Sequence, residues 1–240
     1  MTRAKHVLSD VEGTPSSENA NFAGIETVRR SMRIAREGYP LILTVGALAA
    51  VALAYGWIFV GIVLALVTLA VTGFFRDPER VIPAGDHLIV APADGKIVSI
   101  APAPAGGMFG GAATRISIFL SPLDVHVNRA PLTGAITEVR YQAGQFFAAY
   151  NDAASERNEQ NALKFSDSAG RSFGVVQIAG VVARRIVCRV KRGDRLMRGE
   201  RFGLIMFGSR TDTYLPPGCK VEVVEGQRVK GGETIIGRIV

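Results

Sequence analysis

Apolar and polar positions change rhythm twice along this chain. Residues 1–22 are polar, rich in Ser, Asn, Glu and Gly, and read as disordered. Residues 24–37 set Ile25, Val28, Met32 and Ile34-Ala35 near helical spacing with arginines between them. That is the pattern of an amphipathic helix on lipid headgroups, or of a solvated helix that only orients the apolar block beyond it. From Tyr39 to Phe75 no Asp, Glu, Lys, Arg or His occurs. A bilayer crossing takes about 20 apolar residues, so this block is too long for one untilted span. Gly56-Trp57 lies at its midpoint, where a reversal and an interfacial aromatic both fit. The pattern predicts a helical hairpin over residues 40–55 and 58–75; the competing reading is one long tilted helix. The block starts too late and runs too long for a signal peptide.

After residue 85 the rhythm shortens to β-branched runs divided by Gly, Pro and Asp. Strands are expected at His87–Ala91, Lys96–Ala101, Thr114–Leu120, Ala135–Ala143 and Ser172–Ile178. Further strands are expected at Val181–Lys191, Phe202–Phe207, Thr211–Leu215, Lys220–Val224 and Thr234–Val240. Gly144–Asn161 lacks strand character and reads as a long loop or short helix. The organisation is then a tail and basic segment over 1–38, a membrane-inserted hairpin over 39–75 and a mainly β domain over 76–240. Residues 92–100, 190–205 and 224–240 each set a glycine turn beside a strand, a weak internal repeat. This hairpin style resembles the barrel-sandwich fold of biotinyl and lipoyl domains, without a lysine in an attachment motif.

Composition narrows the function. The net charge of +7 suits nucleic acid or an anionic membrane surface, and the apolar block decides for the membrane. The basic residues do not alternate with aromatics as a single-strand-binding surface requires, so no nucleic-acid partner is expected. With Arg29, Arg30, Arg33 and Arg36 before the block and Arg76 and Arg80 after it, both ends are placed in the cytoplasm. Three scattered histidines and two cysteines, Cys188 and Cys219, show no metal-ligand spacing, so no metal is expected and the cysteines read as reduced. Assembly into a homo-oligomer is left open.

The candidate chemistry sits in four stretches. "GERFGLIMFGSRTDTYLPPG" (199–218) carries a strand into Gly208-Ser209-Arg210 and out into a second strand. On its own a Gly-Ser turn is usually only a turn. "FFRDPERVIP" (74–83) comes directly after the apolar block, "APADGKI" (91–97) holds Asp94, and "FLSPLDVHVNRAP" (119–131) holds His126. Together and in this order these motifs resemble the phosphatidylserine decarboxylase proenzyme family, its short bacterial and archaeal type, from about Phe74 to the C-terminus.

The resemblance implies autocatalytic serinolysis at Gly208-Ser209. Ser209 Oγ attacks the Gly208 carbonyl, giving a large chain, 1–208, and a small chain, 209–240. Ser209 becomes a pyruvoyl cofactor, whose ketone takes up the amine of phosphatidylserine and draws off the electrons released with carbon dioxide, leaving phosphatidylethanolamine. His126 matches a histidine implicated in acid–base work, and Asp94 an acidic position expected to orient or tune the base. Asp94 in its Asp-Gly turn has the plainer reading of stabilising that turn. Many relatives carry a second histidine three residues after the first; here that place is Arg129, which with Arg210 is a candidate substrate contact. For Arg210 a solvated strand residue is the other reading. Two alternatives lie outside this reading: a membrane-anchored, non-enzymatic barrel-sandwich adaptor, and a pyruvoyl enzyme for another amino-bearing lipid headgroup.

Overall fold

In this computed structural model the described residues are 32–103, 108–109, 113–145, 157–180, 185–206 and 208–240. The expected disordered tail and most of the expected amphipathic helix lie outside them. The chain begins with β1 (Met32–Ile34), α1 (Tyr39–Ala54), α2 (Ile58–Phe74) and β2 (Arg76–Pro78). Then come β3 (Leu88–Val90), β4 (Gly95–Pro102), β5 (Thr114–Leu120), β6 (Val127–Arg129), β7 (Gly134–Gln142), β8 (Gln160–Ser166) and β9 (Ser172–Ala179). The last part holds β10 (Ile186–Cys188), β11 (Arg195–Leu196), β12 (Arg201–Ile205), β13 (Ser209–Leu215), β14 (Cys219–Val221), β15 (Arg228–Val229) and β16 (Ile235–Ile239).

The protein is mainly β. Eight strands pair antiparallel in the order β11-β7-β8-β9-β13-β5-β4-β15, and this sheet curls into a half-barrel. Two three-stranded sheets, β10-β12-β6 and β14-β16-β3, complete the β domain. The core is built from alternate residues of the strands, among them Ile116 and Ile118 of β5, Leu163 and Phe165 of β8, and Phe173 and Val175 of β9. The rings of Phe165 and Phe173 stack with centroids 5.0 Å apart. Strand β8 is absent from the expected set, because its polar Gln160-Asn161 start reads as part of the preceding loop. Its burial nevertheless alternates strictly, with Asn161, Leu163 and Phe165 inside. The strand expected over 181–191 is shorter, with only Ile186–Cys188 paired; residues 181–184 lie outside the described ones. Cys188 and Cys219 are both free.

The two edges of the large sheet are built the same way. Ala91-Pro92-Ala93-Asp94-Gly95-Lys96-Ile97 and Ala130-Pro131-Leu132-Thr133-Gly134-Ala135-Ile136 each meet a glycine-flanked dipeptide strand, β15 and β11 respectively. The backbone contacts repeat as well. Gly232 N–H donates to Ala91 O and Gly199 N–H to Ala130 O, each at 2.8 Å. Gly226 N–H donates to Ile97 O, and Gly193 N–H to Ile136 O, again at 2.8 Å. All four glycines have positive φ, the conformation that glycine takes without a Cβ penalty. The same backbone contacts thus recur at both edges, and the two seven-residue runs share Ala, Pro, Gly and Ile at the same positions.

The two apolar helices are joined by Tyr55-Gly56-Trp57, with Gly56 at φ 78°, and pack against each other. Gly61 permits the approach, since a Cβ there would collide with Leu53. The chain enters and leaves them as a ribbon, with Met32, Arg33 and Ile34 opposite Pro78, Asp77 and Arg76. Met32–Ile34 is thus a strand, which corrects the helix expected to run to residue 37. Segments held side by side by two packed helices satisfy their backbone groups by pairing with each other. Below the ribbon Asp77 is buried between two arginines. Arg129 donates to Asp77 Oδ1 at 3.2 Å, to Pro78 O at 3.0 Å and to Gly199 O at 2.9 Å. Arg201 Nε lies 2.7 Å from Asp77 Oδ2. Burial, reinforced by Arg201, pulls the Arg129 guanidinium down to about 10, so it stays charged at cellular pH.

Removing one partner of such a cluster leaves buried charge uncompensated. Asp77→Asn should destabilise the protein by about 3 kcal/mol in denaturant unfolding in detergent. Glu79→Gln, at the more exposed rim of the same cluster, should change stability by no more than about 1 kcal/mol.

Candidate active site

Strands β12 and β13 are separated by a short reversal whose turning point is Gly208. Its φ is 63°, and among the described residues, its chain neighbours aside, no atom lies within 4 Å of the position a Cβ would take. Ser209, the first residue of β13, is then fixed on both sides, opposite Leu120 of β5 and Ala179 of β9. It is fully buried, and its Oγ has no hydrogen-bond partner among the described residues. A buried hydroxyl without a partner is costly and calls for an explanation.

His126 comes from the connection between β5 and β6. Asp124 shapes that connection, its Oδ2 accepting from Ser121 N–H at 2.8 Å and from Ser121 Oγ at 2.6 Å. Both ends of the connection are tied to the segment around the Gly-Ser bond. Leu120 pairs with Ser209, and His126 O accepts from Ile205 N–H at 3.3 Å. The connection 121–126 and the passage from β12 to β13 therefore join the same two sheets side by side.

The His126 ring is buried and its tautomer is set by one contact. Nδ1 lies 2.9 Å from Asp124 O, a group that can only accept, so Nδ1 carries the proton and Nε2 holds the free lone pair. Nε2 is buried and has no partner among the described residues. Burial pushes the imidazole down to about 4; the Asp124 carbonyl and carboxylate oppose this, and Arg76 adds to it. The ring is neutral at cellular pH.

Asp94 is placed elsewhere. Its carboxylate receives Arg80 at 2.9 and 2.7 Å and Gly231 N–H at 2.8 Å, and none of its hydrogen bonds is to His126. Burial raises its pKa in spite of Arg80, with Asp124 adding to the rise. The Gly231 contact has a counterpart in the other half of the repeat, where Thr133 Oγ1 accepts from Arg198 N–H at 3.0 Å. Turn support is thus common to both halves, and only the grip on Arg80 is special to Asp94. A Cβ on neighbouring Gly95 would collide with the Phe119 carbonyl, so this turn must lie directly against β5.

Arg210 is buried and faces Asp212, donating to both carboxylate oxygens at 2.8 and 2.9 Å. This corrects the reading of Arg210 as a solvated strand residue: consecutive residues of β13 are buried, so both faces of the strand are covered. Arg129, the other expected substrate contact, has its donors engaged in the neck. Sequence reasoning missed a buried amide relay beside the nucleophile. Asn161 Nδ2 donates to Gln177 Oε1 at 3.0 Å, and Gln177 Nε2 to Asn128 Oδ1 at 2.8 Å. Gln177 lies opposite Thr211 and so shares a sheet face with Ser209. Polar residues at alternate positions of otherwise apolar strands, as in Val175-Val176-Gln177-Ile178, were the available signal. Among the described residues no group of three or more His, Cys, Asp or Glu is placed to hold a metal ion.

The sequence model of the phosphatidylserine decarboxylase family matches residues 67–237. The phosphatidylserine decarboxylase proenzyme of Gluconobacter oxydans is 53% identical over 169 residues, covering 69% of this chain and 75% of that one. The proenzyme of Symbiobacterium thermophilum is 47% identical over 206 residues, 86% of this chain and 95% of its own. That of Granulibacter bethesdensis is 43% identical over 232 residues, 94% of each. With the Gly-Ser reversal, the buried hydroxyl and the neutral histidine inside the matched region, this chain belongs to the phosphatidylserine decarboxylase family.

Proposed function

We propose that the chain is a proenzyme that cuts itself between Gly208 and Ser209, makes a pyruvoyl group from Ser209, and then decarboxylates phosphatidylserine to phosphatidylethanolamine. The observation that carries this is the pair of buried atoms without partners among the described residues, Ser209 Oγ and His126 Nε2, on two segments that bridge the same sheets.

His126 Nε2 takes the proton of Ser209 Oγ as the oxygen attacks the Gly208 carbonyl. The peptide C–N bond breaks, the Ser209 nitrogen regains a proton, and an ester joins residues 208 and 209. Loss of the Ser209 Cα proton expels the Gly208 carboxylate and leaves dehydroalanine, which with one water yields ammonia and the pyruvoyl group. Gly208 suits the attack because its open side leaves the carbonyl carbon approachable. Once formed, the group supplies a ketone for the substrate amine and an acceptor for the electrons of the broken carbon–carbon bond. His126 then serves as the local proton carrier. Asp94 acts at one remove, fixing Arg80 and the turn at Gly231, and Arg210 with Asp212 stiffens the strand that bears the reacting residue.

The helices supply the membrane attachment. Arg36–Ala54 is long and apolar enough to cross a bilayer by length and composition, while Ile58–Phe74 is a shorter apolar helix. Leu43, Leu48, Phe59, Leu66 and Leu69 are exposed on them, a surface suited to lipid. We read the pair as a membrane-inserted hairpin that keeps the β domain, a barrel-sandwich relative, on the cytoplasmic face of the cell membrane.

Intact-mass measurement tests the central step. The wild-type chain should appear as residues 1–208 and 209–240, the smaller with a blocked N-terminus, and Ser209→Ala as one uncut chain. A wild-type chain as intact as the variant would end the pyruvoyl reading. His126→Ala should slow cleavage by about 10²-fold or more, the scale of general acid–base catalysis.

The depressed imidazole also sets a pH dependence. Because the folded pKa, about 4, lies below the ordinary 6.5, the folded state favours the neutral ring. Its contribution to stability is complete above pH 6.5 and is lost as pH falls toward 4. Urea midpoints in detergent should drop over that window, and His126→Gln should flatten this part of the slope.

A further inference from the structure

We propose that the end of α2 is a working part of the active site, with Phe74 as the positioning residue for the His126 ring and Arg76 as the tether of its loop. This rests on reading His126 as the base. Phe74, the last residue of α2, lies against the imidazole with ring centroids 4.2 Å apart and planes 35° apart. Both residues are buried, at 7% and 1% exposure. Phe75 meets Phe74 edge-on at 5.0 Å and supports it from the side away from the site. Phe75 is itself locked: its carbonyl accepts from Ala35 N–H at 2.8 Å, and a Cβ on Gly38 would collide with its ring. Arg76 reaches in two directions, to Gly73 O in the last turn of α2 at 2.7 Å and to Leu123 O in the His126 loop. Phe74 and Arg76, at the close of an apolar helix, thereby hold the ring and the backbone of the loop that carries the base.

The arrangement explains how one histidine stays neutral and aimed without a carboxylate bonded to Nδ1. The charged groups around it are few. Asp124 lies on its own loop and is paired to Arg228 of β15 at 3.2 Å. Arg76 comes from the end of α2, and the adjoining Ile205 and Met206 carry no charge. The apolar face of Phe74 is therefore what keeps water from the ring, and the membrane helix does more than hold the enzyme at the lipid. A shift of α2 in the bilayer would be felt at the base.

The test is a histidine NMR titration of the full chain in detergent, in a Ser209→Ala background that keeps it uncut. The chain has three histidines, so the His126 signal is identified by its loss in His126→Gln. In the parent the signal should not titrate above pH 5. Phe74→Leu keeps an apolar side chain but removes the ring, and should raise the His126 midpoint by one unit or more. Phe75→Leu, in the same apolar cluster, should leave it in place, and Phe74→Tyr should restore the parent value. On the Ser209 chain, cleavage by Phe74→Leu should fall by up to about tenfold between pH 7.5 and 5.5, the change given by a base titrating near 6.5, while the parent stays level. Identical titrations in Phe74→Leu and the parent, or equal shifts for both phenylalanines, would overturn the assignment. If the midpoint moves as stated but the parent neither cleaves nor decarboxylates, the clamp stands and the role of His126 as base falls.

Discussion

The ladder that holds β13 between β5 and β9 is the constraint on which the site depends. Ser209 opens a strand bonded along both edges, so the reacting residue has almost no backbone freedom, while Gly208 just before it occupies a conformation that few residues share. The two residues of the proposed cut are thus held differently, one fixed by the sheet and the other in a left-handed conformation just before it. A nucleophile on a flexible loop would have to be ordered at each attempt; here folding has done this in advance. The same ladder places the His126 connection, because β5 is both the neighbour of β13 and the strand from which that connection departs.

Fixing a reactive strand inside a sheet requires polar groups in places that are otherwise apolar. The protein meets this in part with hydrogen-bonded sets, while Asn128 Nδ2 and the hydroxyls of Ser117, Thr211 and Thr213 are buried without a partner among the described residues. Arg210 is matched by Asp212 on one face of β13, and Asn128, Gln177 and Asn161 bond in series on the face that carries Ser209. Asp77 is shared by Arg129 and Arg201 where the helices join the domain. Among the described residues Ser209 Oγ and His126 Nε2 share their lack of a partner with the hydroxyls of Ser117, Thr211 and Thr213, and what distinguishes them is their place on the two adjoining connections between the sheets. Desolvation helps both roles, since a neutral imidazole is the form that accepts a proton and a dry hydroxyl does not compete with bulk water.

Features written locally in the chain were legible, and those that depend on distant pairing were not. The strand–Gly–Ser–strand layout, the proline-bounded histidine and the apolar block could each be read from a dozen residues. The burial of Arg210 could not, because it depends on what the rest of the fold packs over both faces of β13. Arg129 looks in sequence like a substitute for a second histidine, yet its partners Asp77 and Gly199 are far away along the chain and nothing in "HVNRAP" announces them. Asp94 reads in sequence as tuning the base, whereas its hydrogen bonds are to Arg80 and Gly231, and Asp124 touches His126 instead. Phe74 shows in sequence only as the end of a hydrophobic run. Its contact with His126 depends on a helix end and a loop meeting in space.

The position of the proposed cut in the topology bears on what the mature protein would be. Residues 209–240 hold β13 in the middle of the large sheet, β14 and β16 in the sheet with β3, and β15 at the edge formed with β4. A small chain so distributed is not a tail that can drift away, because every strand in it pairs with another and three of the four pair directly with strands of the large chain. Breaking the Gly208–Ser209 bond therefore leaves the hydrogen-bond ladders intact and changes only the new ends. The new N-terminus at residue 209 stays opposite Leu120 and Ala179, close to where the His126 connection leaves β5. Under the proposed cut the new chain end would thus lie in a place already built around it, beside a buried histidine held by its own loop and by the end of α2.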